Sequence, residues 1–420
     1  IRDTLDVRGI VGHGSHPDVL RAAGAEQADM IIAVTLADEV NTVACQVAHS
    51  MFKIPTKIAR IRSQSYLRGS AKKLFSREDL PIDVVISPEV AVGELILRRI
   101  ALPGATDVMR FGGGAIMTVG IECMEDCPVV DTPLSQLTSL FPNLPSTVVG
   151  VLRGDDVFIP HSEDMLRAGD IAYVVTTSDQ VKRTLSLFGH EEPEAKRIII
   201  AGGGNIGVYV AQALEQRQTN SRVKIIEQDH ERAVLVADQL NKTVVLNASV
   251  LDEKILLEAD IDGADLMIAV TNNDQVNILS SVIAKRLGCK ASMALINDTS
   301  LQPYVKSFGI DHYVNPRNVT ISGVLQHVRR GRIRSVQSVM KGAAEVIEAD
   351  ALDTSPLVGT ALRDLTLPEG VRIGAIYRNS AVIKPDGATI IRAKDRVILF
   401  ALADAVSEAE QLFRVSLDYF

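Results

Sequence analysis

Ile198-Ile199-Ile200-Ala201-Gly202-Gly203-Gly204-Asn205-Ile206-Gly207 is a β-rich run that breaks into glycines and continues as a helical pattern, and its last six residues fit Gly-x-Gly-x-x-Gly. Glycine runs of this kind also occur in plain turns. This one directly follows a strand, opens a helix, and is followed twenty residues after Gly207 by Glu227, at the end of a second strand over 222–227. The conjunction is the dinucleotide-binding fingerprint. Gly202 permits the tight turn, Gly204 lets a pyrophosphate approach the backbone, and Gly207 allows the helix to pack closely on the strand, with the first helical amides facing the phosphates. The candidate contacts are therefore Gly202, Gly203, Gly204, Asn205, Ile206, Gly207 and Glu227. Glu227 is placed to accept from ribose hydroxyls. Its charge repels a 2′-phosphate, and Gln228 rather than arginine follows it, so NAD or an adenosine nucleotide is expected over NADP.

Outward from this loop, strand and helix alternate. A strand over 243–246, a helix from about residue 252, a strand over 266–270 and a helix with apolar residues at Val276, Leu279, Ile283 and Leu287 follow, and Gly288 closes that helix. Such alternation gives βαβ units and predicts an α/β fold with a Rossmann-like, doubly wound parallel sheet. The chain beyond residue 334 has a different pattern. Short alternating runs at 374–377, 382–384 and 396–400, separated by Asn, Ser, Pro and Gly, read as a small α+β lobe.

The whole arrangement occurs twice. ADMIIAVTLADEVN (28–41) and ADLMIAVTNNDQVN (264–277) share nine of fourteen residues, and RGDDVFIPHSEDMLRAGD (153–170) pairs with RNSAVIKPDGATIIRAKD (378–395) in the same order. Two ordered matches at offsets of 236 and 225 imply tandem duplication of a large unit rather than a solenoid. The expected organisation is a first sheet domain at 1–87, a proline-led crossover helix at 88–102, a first lobe at 103–189, a linker at 190–196, a second sheet domain at 197–315, its crossover helix at 316–333 and a second lobe at 334–420. In this mapping Ile1 falls near Val236, so the first sheet is expected to lack the counterpart of 197–236, its glycine loop included, and the chain reads as clipped at its front.

A second group of candidates sits where strands end. Thr271-Asn272 and its copy Thr35-Leu36 lie at the carboxyl edge, where open α/β sheets bind ligands, and the following Asp274 and Asp38 read as helix N-caps. Lys57-Ile58-Ala59-Arg60-Ile61-Arg62 reads as a strand with Arg60 and Arg62 on one face. They are either a phosphate clamp or solvated arginines on an exposed edge strand, and the aligned second-unit segment 293–298 has no arginine. Gly12 and His13 lie near the adenine end of the first cleft, with His13 and His16 as cleft-edge polar residues rather than metal ligands. Cys123 and Cys127 lack a second ligand pair, so no metal site is expected.

Composition excludes several classes. Lys plus Arg number 44 against 52 Asp plus Glu in 420 residues, a formal charge of -8 that gives no electrostatic footprint for nucleic acid. Four cysteines cannot form a disulfide framework and suit a reducing cytosol. The uncharged stretch 198–214 carries four glycines and falls short of the roughly 20 apolar residues of a membrane span, so membrane association is expected to come through a partner. No Ser-His-Asp or Cys-His constellation emerges, and no histidine or lysine presents itself for hydride transfer; no catalytic residue is assigned, and an NAD-dependent dehydrogenase stands as the alternative reading.

As a set, GHGSHPDVLRAAGAEQADM (12–30), AVTLADEVNTVACQVA (33–48), IARIRS (58–63) and AGGGNIG (201–207), in the order sheet, lobe, sheet, lobe, make the sequence resemble the TrkA family, cytosolic subunits of bacterial Trk potassium uptake systems built from two RCK domains. The resemblance covers essentially the whole chain. RCK sheets commonly carry Gly-Asp after the third strand, where this chain has Asn247-Ala248 and Gly12-His13. What the resemblance implies is a homotetrameric gating ring, cytoplasmic and peripheral on the inner membrane, that binds NAD(H) and ATP or ADP and regulates potassium flux through a membrane-embedded partner of the TrkH or TrkG type.

Overall fold

The computed structural model describes residues 7–141, 143–217, 220–328 and 333–413. The glycine-loop strand, Arg197–Ala201, lies inside a six-stranded sheet whose order is Val244–Asn247, Arg222–Glu227, Arg197–Ala201, Leu266–Ala269, Ala291–Leu295, His312–Val314. Every neighbouring pair is parallel. The Ile-rich strand is buried on both faces, as a central parallel strand must be, because helices cover each side. In sequence order the strands run 3-2-1-4-5-6, which puts the strand reversal, and hence the crevice, at the carboxyl ends of Arg197–Ala201 and Leu266–Ala269. The first sheet has three parallel strands among the described residues, Met30–Ala33, Thr56–Arg60 and Val84–Ile86, counterparts of the last three of the second sheet.

Each sheet leads through a proline-led helix to an antiparallel lobe. The helices are Pro88–Ala101 and Pro316–Val328; of the stretch 316–333 read as the second, residues 329–332 lie outside the described residues and Ile333 instead opens the strand Ile333–Val339. Pro88–Ala101 does more than connect. Its Val92, Ile96, Leu97 and Ile100 enter the core of the second sheet beside Val210, Leu214 and Ile198, and the Tyr209 hydroxyl donates to Glu94. The first unit thus completes the hydrophobic cover of the second.

Both lobes are five-stranded antiparallel sheets of identical strand order. The long sequence match between them is bounded by one interaction. Arg153 donates from Nε and Nη2 to Asp170 at 2.9 and 2.7 Å, and Arg378 does the same to Asp395 at 2.8 and 2.6 Å. Each bidentate pair ties the start of a hairpin to the turn entering the central strand, with the carboxylate only 2% exposed. The lobes also pack on each other. Met109, Phe111, Val149, Tyr173 and Val175 of the first share a core with Val346, Ala375, Ile398 and Phe400 of the second.

His312, opening the last strand of the second sheet, is held down to about 4 by burial and then by the positive charge of Arg99, whose Nη1 donates to the neighbouring Tyr313 carbonyl. A depressed histidine stabilises the fold above its unfolded value of about 6.5, and that contribution is lost as pH falls towards 4, where the unfolded chain takes up the proton first. Between pH 7 and pH 4 the parent should lose on the order of 2 kcal/mol more stability than His312→Gln, read as the difference between their denaturation midpoints across pH. Parallel pH profiles for the two proteins would contradict this role.

Candidate nucleotide-binding clefts

The second cleft is built from backbone. Gly202 adopts the left-handed region at φ 102°, its N–H pairing with Ile226 O at 2.9 Å, so the chain turns sharply out of the sheet. A Cβ on Gly207 would fall 2.1 Å from Gly202 O, which leaves glycine as the residue that lets helix Asn205–Gln216 cross the strand end. Gly204 is exposed with no neighbour near its Cα substituent position, and no side chain caps the helix that it precedes. The first-turn amides and the positive helix end therefore face open space with no acidic residue in that turn, which is the chemistry that receives a phosphate.

Glu227 stands beside them. Its Oε2 accepts from Gly203 N at 2.7 Å and its Oε1 from Asp229 N at 2.9 Å, so two backbone amides aim the carboxylate at the loop while each oxygen keeps a free lone pair. Arg232, which no motif marks, donates from Nε to Gly203 O at 2.8 Å and brings a cation to the same loop. At the end of strand Val244–Asn247, Asn247 donates to the carbonyls of Glu227 and Gln228 and contacts His230 Nδ1 at 3.0 Å. That side chain locks the strand end where a Gly-Asp pair was expected from the resemblance.

Thr271 lies against the loop, its N 3.1 Å from where a Cβ on Gly202 would be, with Asn272 exposed next to it. The Thr271 hydroxyl is already engaged. It donates to Asn277 Oδ1 at 2.7 Å, the Thr271 N–H donates to the same oxygen at 2.9 Å, and Asn277 Nδ2 donates to Thr271 O and Leu295 O at 3.1 and 2.8 Å. Asn41 repeats all four bonds with Thr35 and Arg60 O. These fully buried asparagines close both repeated segments, and their identity in both copies was the signal that sequence reasoning passed over.

The expectation that Asp274 and Asp38 cap helices is corrected. The N-cap of Asp274–Arg286 is Asn273, whose side chain accepts from Gln275 N and Val276 N, and Ala37 occupies that position before Asp38–Ser50. Both aspartates instead sit in the first turn and accept amides from the next strand's exit: Asp274 from Asn297 and Asp298, Asp38 from Arg62 and Ser63. A carboxylate one residue inside the helix still favours its positive end, but its lone pairs are used to fix the neighbouring loop.

In the first cleft, Thr35 meets Gly14 and Arg60. A Cβ on Gly14 would touch the Thr35 methyl at 3.8 Å, and Arg60 Nη2 donates to Thr35 O at 2.7 Å. Gly12 and His13 are exposed in the same loop, His13 contacting Ser15 and stacking on His16 at 4.6 Å. The edge-strand reading is corrected: Thr56–Arg60 is the middle strand of its sheet. Arg62 lies beyond the strand and turns to Glu89 at 2.7 Å, away from Arg60's partner, so the two do not act as one alternating face. The shared bonds from Asn41 and Asn277 align Arg60 with Leu295 and Arg62 with Asn297, one residue earlier than expected, and the second cleft still has no arginine there.

Doubled Rossmann-type sheets, each with a glycine-loop or strand-end candidate cleft and an antiparallel lobe, define a tandem α/β protein of two sheet-and-lobe units. The TrkA-N domain family matches residues 1–88 and 198–316, and the TrkA-C domain family matches 119–189 and 346–414. The chain is 58% identical to the Trk system potassium uptake protein TrkA of Azorhizobium caulinodans, covering 100% of this chain and 91% of that protein, and 40% identical to its namesake in Halomonas elongata over 99% and 91%. The chain belongs to the TrkA family of Trk potassium uptake proteins, as a regulatory rather than catalytic member, which sets aside the dehydrogenase alternative. In fold it is similar to the GsuK channel bound to NAD, with a TM-score of 0.57 at 18% identity over 98% of this chain and 72% of that one.

Proposed function

We propose that this protein is the nucleotide-sensing, gating subunit of a Trk-type potassium channel or transporter, binding NAD(H) and ATP or ADP to control flux through a membrane-embedded partner of the TrkH or TrkG type. The observation that carries this reading is the second cleft, where uncapped helix amides, exposed Gly204 and a Glu227 carboxylate aimed by Gly203 N–H converge at the strand reversal. The NAD carried by a channel of the same fold supports it. Gly202 to Gly207 hold the pyrophosphate and Glu227 a ribose, Thr271 and Asn272 border the cleft, and in the first unit Gly12, His13, Thr35, Leu36, Arg60 and Arg62 border the phosphate-seeking counterpart. Among the described residues no helix is long and apolar enough to cross a membrane; in this reading the ion path lies in the partner. A homotetrameric ring on the cytoplasmic face would sum small nucleotide preferences over several sites towards the roughly 5.5 kcal/mol that a 1:99 to 99:1 shift requires.

Glu227→Ala should weaken NADH binding by about 1 to 3 kcal/mol by removing the ribose acceptor; calorimetry giving an unchanged affinity takes Glu227 out of the site. The gating role is tested by potassium or rubidium flux into liposomes holding the partner, with the protein added under ATP, ADP, NAD and NADH. Flux that differs between nucleotides supports the proposal. Identical flux under all four and under none, with binding confirmed in parallel, overturns it.

A further inference from the structure

A cavity of about 1050 Å³ lies at the opposite edge of the second sheet from the glycine loop, where the strands begin. Three parts of the chain wall it: the first unit through Arg99, Thr106 and Glu122, the segment 190–196, and the strand starts of the second sheet. The strand starts are unusually basic. Arg197 and Arg222 are register partners on adjacent parallel strands, a side-by-side placement of like charges that destabilises a sheet unless an anion lies between or beside them. Arg197 has Asp265 at 3.6 Å, but that carboxylate also serves Lys290 at 2.9 Å and the amides of Lys196 and Arg197. Arg222 and the Lys196 side chain form no ion pair among the described residues.

The acidic groups on the other walls do not answer this charge. Glu122 spends both oxygens on Lys306 at 3.1 and 3.0 Å, Asp311 pairs with Lys285 at 3.1 Å, and Glu192 lies 3.0 Å from His190 Nδ1. Among the described residues Glu194 is left as the carboxylate of the lining without an ion-pair partner, against Lys196, Arg222 and the surplus cation around Asp265. The volume matches a small-molecule site, and guanidinium and ammonium groups around an open space suit phosphate oxygens.

The geometry points to a second, non-cleft ligand site here, taking a compact polyanion of the phosphate type held by Arg222, Lys196 and Lys290. Because it sits at the amino ends of the strands, its occupant does not compete with a nucleotide on the glycine loop. By bridging the first lobe, the 190–196 segment and the second sheet, it fixes the joint between the two units and so acts as an effector.

Calorimetry on the full chain saturated with NADH, with inorganic tripolyphosphate and ATP as the two arms, tests this. The Lys196→Ala, Arg222→Ala protein should bind tripolyphosphate at least about tenfold more weakly, since it loses two charge-assisted contacts, while its NADH affinity is unchanged. Without ligand its thermal midpoint should equal or exceed the parent's, because the Arg197–Arg222 repulsion is gone. Equal affinities of tripolyphosphate and ATP assign recognition to phosphate alone, and tighter ATP binding adds the nucleoside; either supports the site if the double variant loses it. No binding to the NADH-saturated parent, or binding within twofold in the double variant, overturns it, and either result leaves the glycine-loop reading standing.

Discussion

Asn277→Leu is expected to destabilise the second sheet domain by about 3 to 5 kcal/mol and to weaken nucleotide binding with it. The leucine has nearly the same volume but leaves the Thr271 N–H, the Thr271 carbonyl and the Leu295 carbonyl with no partner in a site where Asn277 is 0% exposed. Each buried polar group stripped of its partner costs about 1 to 3 kcal/mol, and three such losses exceed any gain from the added apolar surface. Asn277→Asp keeps both accepting bonds but turns its second carboxylate oxygen on the Thr271 and Leu295 carbonyls, a repulsion in a buried site, so it should be no milder than the leucine variant. Because Thr271 abuts Gly202, slackness at this strand end moves the loop, and NADH affinity should fall in both variants. Chemical denaturation followed transition by transition reads the first effect and calorimetry the second. A leucine variant within 1 kcal/mol of the parent would show that the network is not a structural clamp. Asn41→Leu should behave likewise in the first sheet, where the same four bonds recur.

Phe400→Ala is expected to cost about 3 to 5 kcal/mol, the usual range for truncating a buried phenylalanine, and to loosen one lobe from the other. Phe400 is 0% exposed, its ring lies 6.3 Å from that of Tyr173 across the interface, and it fills the space over Gly150, where a Cβ would fall 2.4 Å from the ring. That complementarity gives the prediction a second arm. Gly150→Val alone should destabilise by overpacking, yet in the Phe400→Ala background it refills part of the void and should recover about 1 kcal/mol. Simple additivity of the two substitutions would mean that the lobes do not pack as described. Since the lobes share an apolar core across the two units, their separation should also reduce any nucleotide-dependent change in partner flux.

By itself the sequence determined the elements and their kind. The Ile-rich run ahead of the glycines, the period of the helices and the carboxylate at Glu227 all lie within some thirty residues, and their spacing alone defines a strand, a tight turn and a helix start. Internal repetition then carried the reading to the other unit, and the Arg153–Asp170 and Arg378–Asp395 matches turned out to begin and end on the same buried ion pair. Tertiary structure decided which partner each polar group takes. Asp274 at the start of its helix has two competing sets of amides within reach, its own first turn and residues 297–298, and only the approach of the next strand selects the second. The same holds for helix Pro88–Ala101, whose apolar face is plain in sequence while its burial against the second sheet is not. It holds too for Arg197 and Arg222, ordinary strand-leading arginines until the parallel register sets them side by side. Periodicity is a local property of the backbone, but hydrogen-bond choice, like-charge proximity and the cover of an apolar face depend on residues far apart in the chain, which only the folded arrangement brings together.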